Sequence, residues 1–490
     1  MSNRPFVAAF ATLSLGAIGS SAATTLSIDN VNASGVGFND TTAVAPVGGN
    51  AGTTLGQQRL IVFQQAANQW AALLNSSVVI KVQASMVALT CTAMSATLGS
   101  AGPIEVVAGF PNAPRANTAY NIAEGNALAG SDLDAGNDDI QAQFNVSLDA
   151  GSATCLNGEK WWYGIDPSVT PAAKTIPLLP VVFHELGHGL GFTANIDSTT
   201  GNYLIQADTP IWADYLFDTQ QNLLWKNMSS TQRVASSIND PNLVWTGPRT
   251  NKQAGAYLKP GNALIIHSPA GVAGAQEVGT AQFGATVPAA GITGNVVLVN
   301  DGDTDGGTGT FTDACEAFTV ANAAAVSGNI ALIDRGLCSF TTKVKNAQNA
   351  GAIAAIVANN AVDPLRLPVS MGGTDATITI PSYSITQALG TAIKSDLPGV
   401  NVTLDYANIG VNQGCVRMFA PNPLLQGSSV SHFHADAFPD LLMEPALNTT
   451  IFNKVDLTLP FFADIDWSTN IEDFIFLDGF DPNPCQHVQP

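Results

Sequence analysis

The chain has 490 residues, and 18 basic against 38 acidic side chains give it a net charge of −20 at pH 7. This charge argues against nucleic acid and anionic membrane surfaces as partners, and it favours solubility outside the cell. The chain is too long for one hydrophobic core, so the sequence predicts two globular units and a tail.

The N-terminus has the pattern of a secretory signal peptide. Arg4 precedes an apolar run from Phe6 to Ile18, and small residues follow as far as Ala23. We therefore expect residues 1–23 to be a signal peptide and the mature protein to be exported. No other stretch reaches the roughly 20 apolar residues that a bilayer span requires, so no membrane anchor is expected.

The six cysteines fit an oxidising compartment. No two of them lie close together in sequence, which argues against a zinc-thiolate site. The predicted domain boundaries favour three local disulfides: Cys91 with Cys155, Cys315 with Cys338, and Cys415 with Cys485.

Two helices are predicted in the first part of the chain. Residues 59–86 indicate an amphipathic helix followed by a strand from Val78 to Ala84. The second helix carries the string HELGHGLGF at residues 184–192. On a helix, His184 and His188 leave the same face one turn apart and can share one metal ion at roughly 2.0–2.1 Å. Glu185 points away from such an ion but toward a water on it, which suits a general base.

The residues around this motif favour a buried helix. Pro180 is tolerated in a first helical turn, and the segment is made apolar by Val181, Val182, Phe183, Leu186 and Leu190. Two histidines and a glutamate would be costly to bury unless a metal and its water partnered them. The alternative is a chance match whose histidines form hydrogen bonds in a core. With six histidines, chance would produce HExxH in on the order of one such chain in a thousand.

A catalytic zinc needs a third protein ligand. In the compact metzincin pattern this is a histidine six residues after the second one, but Ala194 occupies that position. No glutamate lies between Glu185 and Glu277, which argues against a glutamate ligand on a following helix. The other histidines of the chain are His267, His432, His434 and His487.

From about Gly255 to Asp405 the composition changes to glycine, alanine and valine with short apolar runs that predict strands at 263–266, 296–299, 330–333 and 353–357. The string GNIALIDRGLCSFTTKVKNAQNAGAIAAIVANN at 328–360 predicts strand, turn, helix and strand, and it resembles the protease-associated (PA) domain. Residues 380–395 resemble the final strand and helix of that family. The resemblance implies an inserted, noncatalytic PA domain at residues 255–408 that shapes substrate access or binds protein; a merely structural insertion is an equal alternative.

Within this insertion, residues 301–313 place Asp301, Asp303, Asp305 and Asp313 among glycines. Carboxylate oxygens of this kind bind Ca2+, but an EF-hand loop needs a bidentate glutamate at its twelfth position, where Thr312 stands. An acidic solvated turn is therefore favoured over a Ca2+ site.

After the insertion, the segment SHFHADAFPDLLMEP at residues 431–445 holds two histidines followed by Met443. A distant S-H-[WF] with a later L-M-x-P resembles the third ligand and the Met-turn of leishmanolysin-type metzincins, in which an insertion separates the third histidine from HExxH. The resemblance implies that His432 is the third zinc ligand and that Met443 lies beneath the metal.

Two features depart from the family pattern. Phe433 stands where tryptophan is often found, and His434 offers a competing ligand. In an extended segment His432 and His434 point to opposite sides, so both should not bind the same ion. His434, or an aspartate such as Asp214 or Asp218, therefore stays as an alternative third ligand. His267 and His487 are expected to be ordinary surface or loop residues.

The resemblance also implies the fold class, which is α+β. A metzincin-like catalytic domain, with a twisted sheet and an active-site helix, is expected at residues 24–254 and 409–470, interrupted by the β-rich α/β PA domain. Residues 455–467 look like the closing helix of the catalytic domain, and residues 471–490 are expected to form a tail.

We interpret the chain as a secreted, monomeric zinc endopeptidase that acts on proteins or peptides. Zinc on His184, His188 and His432 would activate a water, and Glu185 would take its proton and later protonate the leaving amine. A second interpretation is a binding protein on a zinc-stabilised protease fold, although a structural site would usually have four protein ligands and no need of Glu185. A third is a zinc hydrolase of another amide bond.

Overall fold

The computed structural model describes residues 24–205, 208–302, 309–363, 367–435, 437–446, 456–470 and 485. The predicted signal peptide, Asp303, Asp305, His487 and the predicted tail apart from Cys485 lie outside these residues. Among the described residues, no helix combines the length and the apolar character needed to cross a membrane.

The helices are α1 (Leu55–Leu73), α2 (Ile122–Ala129), α3 (Leu178–Leu190), α4 (Ser230–Ser236), α5 (Pro248–Tyr257), α6 (Val320–Val326), α7 (Phe340–Asn349), α8 (Gln387–Ser395) and α9 (Thr458–Asp464).

The strands before residue 260 are β1 (Leu26–Asn30), β2 (Ile80–Val87), β3 (Gly99–Pro103), β4 (Val106–Ala108), β5 (Thr118–Asn121), β6 (Ile140–Asn145), β7 (Lys160–Trp162), β8 (Thr175–Pro177), β9 (Ile196–Asp197), β10 (Asn202–Tyr203), β11 (Thr209–Pro210), β12 (Leu216–Asp218), β13 (Leu223–Leu224) and β14 (Leu243–Trp245). The later strands are β15 (Gly261–Ser268), β16 (Gly274–Gln276), β17 (Gly279–Thr280), β18 (Ile292–Leu298), β19 (Ile330–Asp334), β20 (Ala354–Ala358), β21 (Ser382–Ile385), β22 (Asn401–Ala407), β23 (Val411–Asn412) and β24 (Cys415–Arg417).

The buried apolar side chains show that one unit is inserted into another. The largest hydrophobic cluster draws on residues from Leu26 to Leu258 and again from Val416 to Trp467. Two further clusters consist of residues between Leu264 and Leu404. The middle of the chain therefore packs on itself, while the flanking parts share one core.

Helix α1 packs against α3, the helix that carries the HExxH motif. Thr54 and Gln57 form a reciprocal capping box at its start, which satisfies two backbone N–H groups. Trp70 is completely buried on the face toward α3, and its indole N–H donates to the carbonyl oxygen of Phe183 at 2.9 Å. The predicted helix and strand of residues 59–86 are thus present as α1 and β2.

A four-stranded sheet with the order β1-β2-β6-β3 lies beside these helices. The first three strands are parallel, and β3 is an antiparallel outer strand. In β2, Ile80, Val82, Ala84 and Met86 face the core, because alternate side chains of a strand point to the same side. Strand β3 runs against α3 and borders the site described below.

A second sheet joins the two ends of the flanking unit across the insertion. Its order is β13-β12-β14-β24-β23, and β14 pairs with β24 through Val244 with Arg417 and Trp245 with Val416. Helix α9, within the predicted closing helix, packs against α5.

The inserted unit contains an eight-stranded sheet with the order β16-β15-β22-β18-β19-β20-β21-β17. Strands β18 to β21 are parallel neighbours. The predicted order of strand, turn, helix and strand at 328–360 is present as β19, α7 and β20. Residues 380–395 form β21 and α8, but they are not the last elements, because β22 follows and pairs with both β15 and β18.

All three predicted disulfides are present. Cys91 is bonded to Cys155, Cys315 to Cys338, and Cys415 to Cys485. The first joins a loop before β3 to the segment after β6, and the second lies within the insertion.

Candidate active site

Helix α3 places the two histidines of the HExxH motif on one face. It starts after Pro177, holds Pro180 in its first turn and ends at Leu190, before Gly191, whose φ of 137° a residue with a β-carbon would rarely adopt. The chain therefore turns away directly after the second histidine. The Nε2 atoms of His184 and His188 lie 3.1 Å apart.

The structure brings His432 to this pair across a long sequence distance. It lies on the segment after β24, where the N–H of Phe419 donates to the carbonyl oxygen of His432. Its Nε2 is 3.1 Å from Nε2 of His188, a residue 244 positions earlier. Both side chains are buried, and His184 completes a group whose ligand atoms all lie within 4.8 Å of one another.

Each imidazole of this group is oriented by a backbone carbonyl. Nδ1 of His184 lies 2.6 Å from the oxygen of Leu442, Nδ1 of His188 lies 2.6 Å from that of Phe192, and Nδ1 of His432 lies 2.8 Å from that of Ser428. A carbonyl oxygen only accepts, so Nδ1 carries the proton in all three rings. The Nε2 lone pairs therefore converge on one point.

This donor set fits a zinc ion. Burial lowers the pKa of His184 to about 4 and that of His188 to about 3, and it holds the pKa of His432 well below its ordinary value. Nε2 of His188 lies 3.1 Å from Nε2 of both other histidines, and neutral imidazoles whose lone pairs face each other this closely repel one another unless a cation lies between them. Three nitrogens on a tetrahedral Zn2+ would be about 3.3 Å apart, close to the distances found.

Glu185 lies at the rim of this histidine group, partly exposed to a cleft. Its Oε2 accepts a hydrogen bond of 3.0 Å from the N–H of Ala101 on β3. Burial raises the pKa of Glu185 to about 8, although this hydrogen bond lowers it. A β-carbon added at Gly99 would lie 2.9 Å from Cγ of Glu185, so the absence of a side chain at residue 99 makes room for the glutamate.

Met443 packs against helix α3 at Gly187, the residue before the second histidine of the motif. It is fully buried, and its Sδ would be 2.8 Å from a β-carbon added at Gly187. Its carbonyl oxygen accepts from the N–H of Phe433, which joins the methionine to the segment of His432. The thioether packs against the helix at Gly187, where Cζ2 of Trp70 is also within 3.4 Å of the added β-carbon.

The alternative third ligands lie elsewhere. Nε2 of His434 is 2.8 Å from Nη2 of Arg417 and 3.2 Å from Oδ1 of Asp240, on the other side of the segment. Asp214 forms ion pairs with Arg115 and Lys226. Asp218 is buried and accepts hydrogen bonds from backbone N–H groups and from Asn239. His267, expected on the surface, is exposed on β15.

A cleft of about 740 Å³ opens beside the histidines and Glu185. One wall is β3 with the loop before it, where Met94 is exposed, and the opposite wall is the segment 425–432. Of these walls, sequence patterns identified only His432, because the other residues are not of a type that is diagnostic for binding. Gly99 and the N–H of Ala101 were missed for the same reason.

The acidic loop of the insertion differs from the expected solvated turn at the residues that the structure describes. Asp301 and Asp313 are buried, and both accept from the N–H of Cys315. With Glu316 they lie close enough to share an ion, but the ammonium group of buried Lys343 donates to the carbonyl oxygen of Asp313 beside them. A lysine cation and backbone donors thus already supply positive charge there.

Comparison with known proteins identifies part of the chain. Residues 292–393 match the family model of the PA domain. Vacuolar-sorting receptor 1 of Pisum sativum is 30% identical over 168 residues, which are 32% of this chain and 26% of the receptor. Signal peptide peptidase-like 2 of Arabidopsis thaliana is 33% identical over 72 residues, 15% of this chain and 13% of that protein. The chain thus spans about a quarter or less of these relatives.

Among solved structures, a zinc aminopeptidase from Bacillus subtilis aligns with a TM-score of 0.23 and 20% identity over 44% of each chain. An overlap this low carries no conclusion about the fold or the activity of the whole chain. The family match lies within the insertion and includes residues 328–360, whose sequence resembles the PA domain. Residues 292–393 of this chain are a PA domain.

Proposed function

We propose that the protein is a secreted zinc endopeptidase with a metzincin-like catalytic domain, formed by residues 24–254 and 409–470 and interrupted by the PA domain at 255–408. The observation that carries this proposal is the convergence of three Nε2 lone pairs beside Glu185 at an open cleft. Among the described residues, no fourth protein ligand joins the histidine group. A site with three ligands and an open side suits catalysis better than a purely structural role.

The proposed roles follow from the contacts of each residue. His184, His188 and His432 would hold the zinc, each kept in one tautomer by a carbonyl oxygen. When bound, zinc would supply a lowered pKa for water and polarisation of the substrate carbonyl. Glu185 would take a proton from the attacking water and deliver it to the leaving amine, and the N–H of Ala101 holds its carboxylate in place.

Strand β3 offers a binding edge for an extended peptide. It is the outer strand of its sheet among the described residues, and the N–H of Ala101 points away from β6 toward the cleft. A peptide that paired with this edge would place its backbone beside Glu185. No lysine or arginine among the described residues lines the cleft to bind a terminal carboxylate, which favours cleavage within chains over carboxypeptidase activity.

Secretion is proposed from the N-terminal sequence, and the three disulfides fit an oxidising compartment. We also propose that the protein is a monomer and that its substrates are proteins or peptides. No specific observation favours the binding-protein or other-amide interpretations over the endopeptidase.

The test compares the zinc-loaded mature protein with Glu185→Gln, which keeps the shape of the side chain but cannot accept the proton. Both are incubated with an unfolded protein and with cell-wall fragments. Fragments are identified by mass spectrometry, and bound zinc is measured by atomic emission. We expect one zinc in each, internal peptide cleavage by the wild type and at least a hundred-fold slower cleavage by the variant. Zinc binding without any cleavage would favour the binding protein, and cleavage of wall fragments alone would favour the other hydrolase.

A further inference from the structure

An exposed methionine stands on one wall of the cleft. Met94 lies on the loop before β3, lines the same cavity as His184 and Glu185, and is 78% exposed. Its neighbours on this wall, Ala96 and Leu98, pack against the hydrophobic core of the flanking unit. Met94 belongs to none of the hydrophobic clusters that the described residues form. Its apolar side chain thus faces solvent at the edge of the cleft.

Local bonds hold the loop that carries Met94. The N–H groups of Met94 and Ser95 both donate to Oγ1 of Thr92, at 3.3 and 3.0 Å. The N–H of Thr92 in turn donates to the carbonyl oxygen of Ser95 at 2.7 Å. The disulfide of Cys91 with Cys155 joins this turn to the segment after β6. The backbone at Met94 is therefore in place before a substrate arrives, which lowers the cost of ordering it on binding.

Met94 differs in exposure from the other methionines that the structure describes. Each of these is buried and at most 5% exposed: Met86, Met228, Met371, Met418 and Met443. A thioether side chain adapts to apolar groups of different shape, and methionine is common at surfaces that bind varied partners. The buried methionines fill the interior, whereas Met94 is available for contact with a second molecule.

The position of the loop relative to β3 indicates which part of a substrate would contact Met94. The loop comes directly before Gly99, the first residue of β3, and Glu185 contacts the N–H of Ala101 two residues further along. A peptide that pairs antiparallel with β3 runs in the opposite direction, so the residues that follow those beside Ala101 approach the loop. Met94 therefore lies on the C-terminal side of the peptide bond beside Glu185.

We propose that Met94 is a specificity-determining residue of the cleft, which selects an apolar side chain such as leucine on the C-terminal side of the cleaved bond. This inference rests on the proposed function, because it concerns the substrate of the same cleft. Contact with leucine would remove roughly 40 Å² of apolar surface from water, which corresponds to about a five-fold gain in affinity.

The experiment measures binding to the zinc-loaded protein, so that it does not depend on turnover. Each peptide carries a hydroxamate at its N-terminus, which binds zinc and so places all peptide residues on the C-terminal side of the reacting position. A fluorescent group at the other end of the peptide reports binding. Leucine, glutamine or glutamate occupies each position of the peptide in turn.

The same titrations are made with two variants of Met94. Glutamine in Met94→Gln has nearly the length of methionine but is polar, whereas leucine in Met94→Leu stays apolar. Leu204→Gln, which changes an exposed apolar residue that does not line the cleft, is the matched control. We expect one position at which leucine binds about five-fold more tightly than glutamine in the wild type. This difference should disappear in Met94→Gln and persist in Met94→Leu and Leu204→Gln.

Oxidation gives a check that needs no mutation. Hydrogen peroxide transfers one oxygen atom to an exposed thioether, which becomes a polar sulfoxide while the peroxide is reduced to water. Mass spectrometry should find Met94 oxidised before the buried methionines, and the leucine preference should be lost in the protein oxidised at Met94 alone.

Two results would overturn the inference: no leucine preference at any position, or an unchanged preference in Met94→Gln or in the oxidised protein. Cleavage by the wild type could in both cases still support the endopeptidase. Absence of all peptide binding would overturn this inference as well, and the cleavage test above would decide the proposed function separately.

Discussion

His184 and Leu442 are joined by a hydrogen bond across 258 residues of sequence: the Nδ1 of the histidine donates to the carbonyl oxygen of the leucine at 2.6 Å. The next residue, Met443, fills the space under Gly187 of the same helix. The orientation of the first histidine thus depends on the segment after the insertion. The turn around Met443 therefore supports the proposed metal site through packing and through one backbone acceptor.

Met443→Ala should disturb this support without removing a ligand. The lost side chain leaves a buried cavity, which costs about 2–5 kcal/mol of unfolding free energy. Zinc affinity should fall by roughly 10–100-fold, because the carbonyl of Leu442 is no longer held in place. Urea unfolding and competition with a zinc chelator measure the two effects. Met443→Leu keeps the volume and should cost less than about 1.5 kcal/mol. Equal zinc affinity in the alanine variant and the wild type would contradict this role.

The two histidines of the segment 431–434 should behave differently when replaced. His432→Ala removes a nitrogen from the histidine group, so stoichiometric zinc and activity should both be lost. His434→Ala removes a partner of Asp240 and Arg417, so it should lower stability by about 1–3 kcal/mol while zinc stays bound. Atomic emission after dialysis, together with thermal unfolding, distinguishes the two. Loss of zinc from His434→Ala with retention in His432→Ala would reverse the assignment.

Gly99→Ala should slow catalysis by displacing Glu185. The added β-carbon would lie 2.9 Å from Cγ of Glu185 and 2.9 Å from a ring carbon of Phe144, so one of these side chains must move. Because a small misplacement of a catalytic group is costly, we expect kcat to fall about ten-fold or more with zinc content unchanged. Gly102→Ala on the same strand is the control, since nothing lies within 4 Å of its added β-carbon. Equal kcat in both variants would argue against this positioning role.

Glu124 should make stability depend on pH. It is completely buried, and among the residues that the structure describes neither carboxylate oxygen has a hydrogen-bond partner of good geometry. Burial, together with the charge of Asp466, raises its pKa well above the ordinary value. Above pH of about 4.3 the unfolded chain therefore releases this proton while the folded protein keeps it, so stability falls as pH rises toward the folded-state pKa.

Glu124→Gln removes this penalty because an amide does not ionise. The variant should gain stability relative to the wild type as pH rises from 5 to 8, by up to about 1.4 kcal/mol per pH unit. Urea unfolding at several pH values measures the difference. Glu105→Gln, at an exposed glutamate, should leave the pH dependence of the wild type unchanged. A constant difference between Glu124→Gln and wild type across this range would show that Glu124 is not protonated.

Residue spacing correctly predicted the helices and strands whose formation depends mainly on neighbouring residues in the sequence. The spacing of His184, Glu185 and His188 required only the periodicity of a helix, and the structure has that helix as α3. The same holds for β19 and β20, which are short continuous apolar runs, and for α7, whose apolar residues recur at the spacing of a helix. The resemblance of this stretch to the PA domain is confirmed by the family match. The three disulfide pairings were predicted from the expected domain boundaries, and all three are present.

The sequence by itself thus determined which side chains are available for the chemistry, because residue type and short spacing set what each helix face can present. It left open which histidine after the insertion meets α3, since alternation places His432 and His434 on opposite sides without deciding which side faces the helix. The tertiary structure turns His432 toward α3, through the pairing of β14 with β24 and the packing of Met443 against Gly187. The fit of Gly99 to Glu185 also depends on chain segments that meet only in the folded protein. Contacts of this kind arise from three-dimensional packing, which has no signature in the local order of residues.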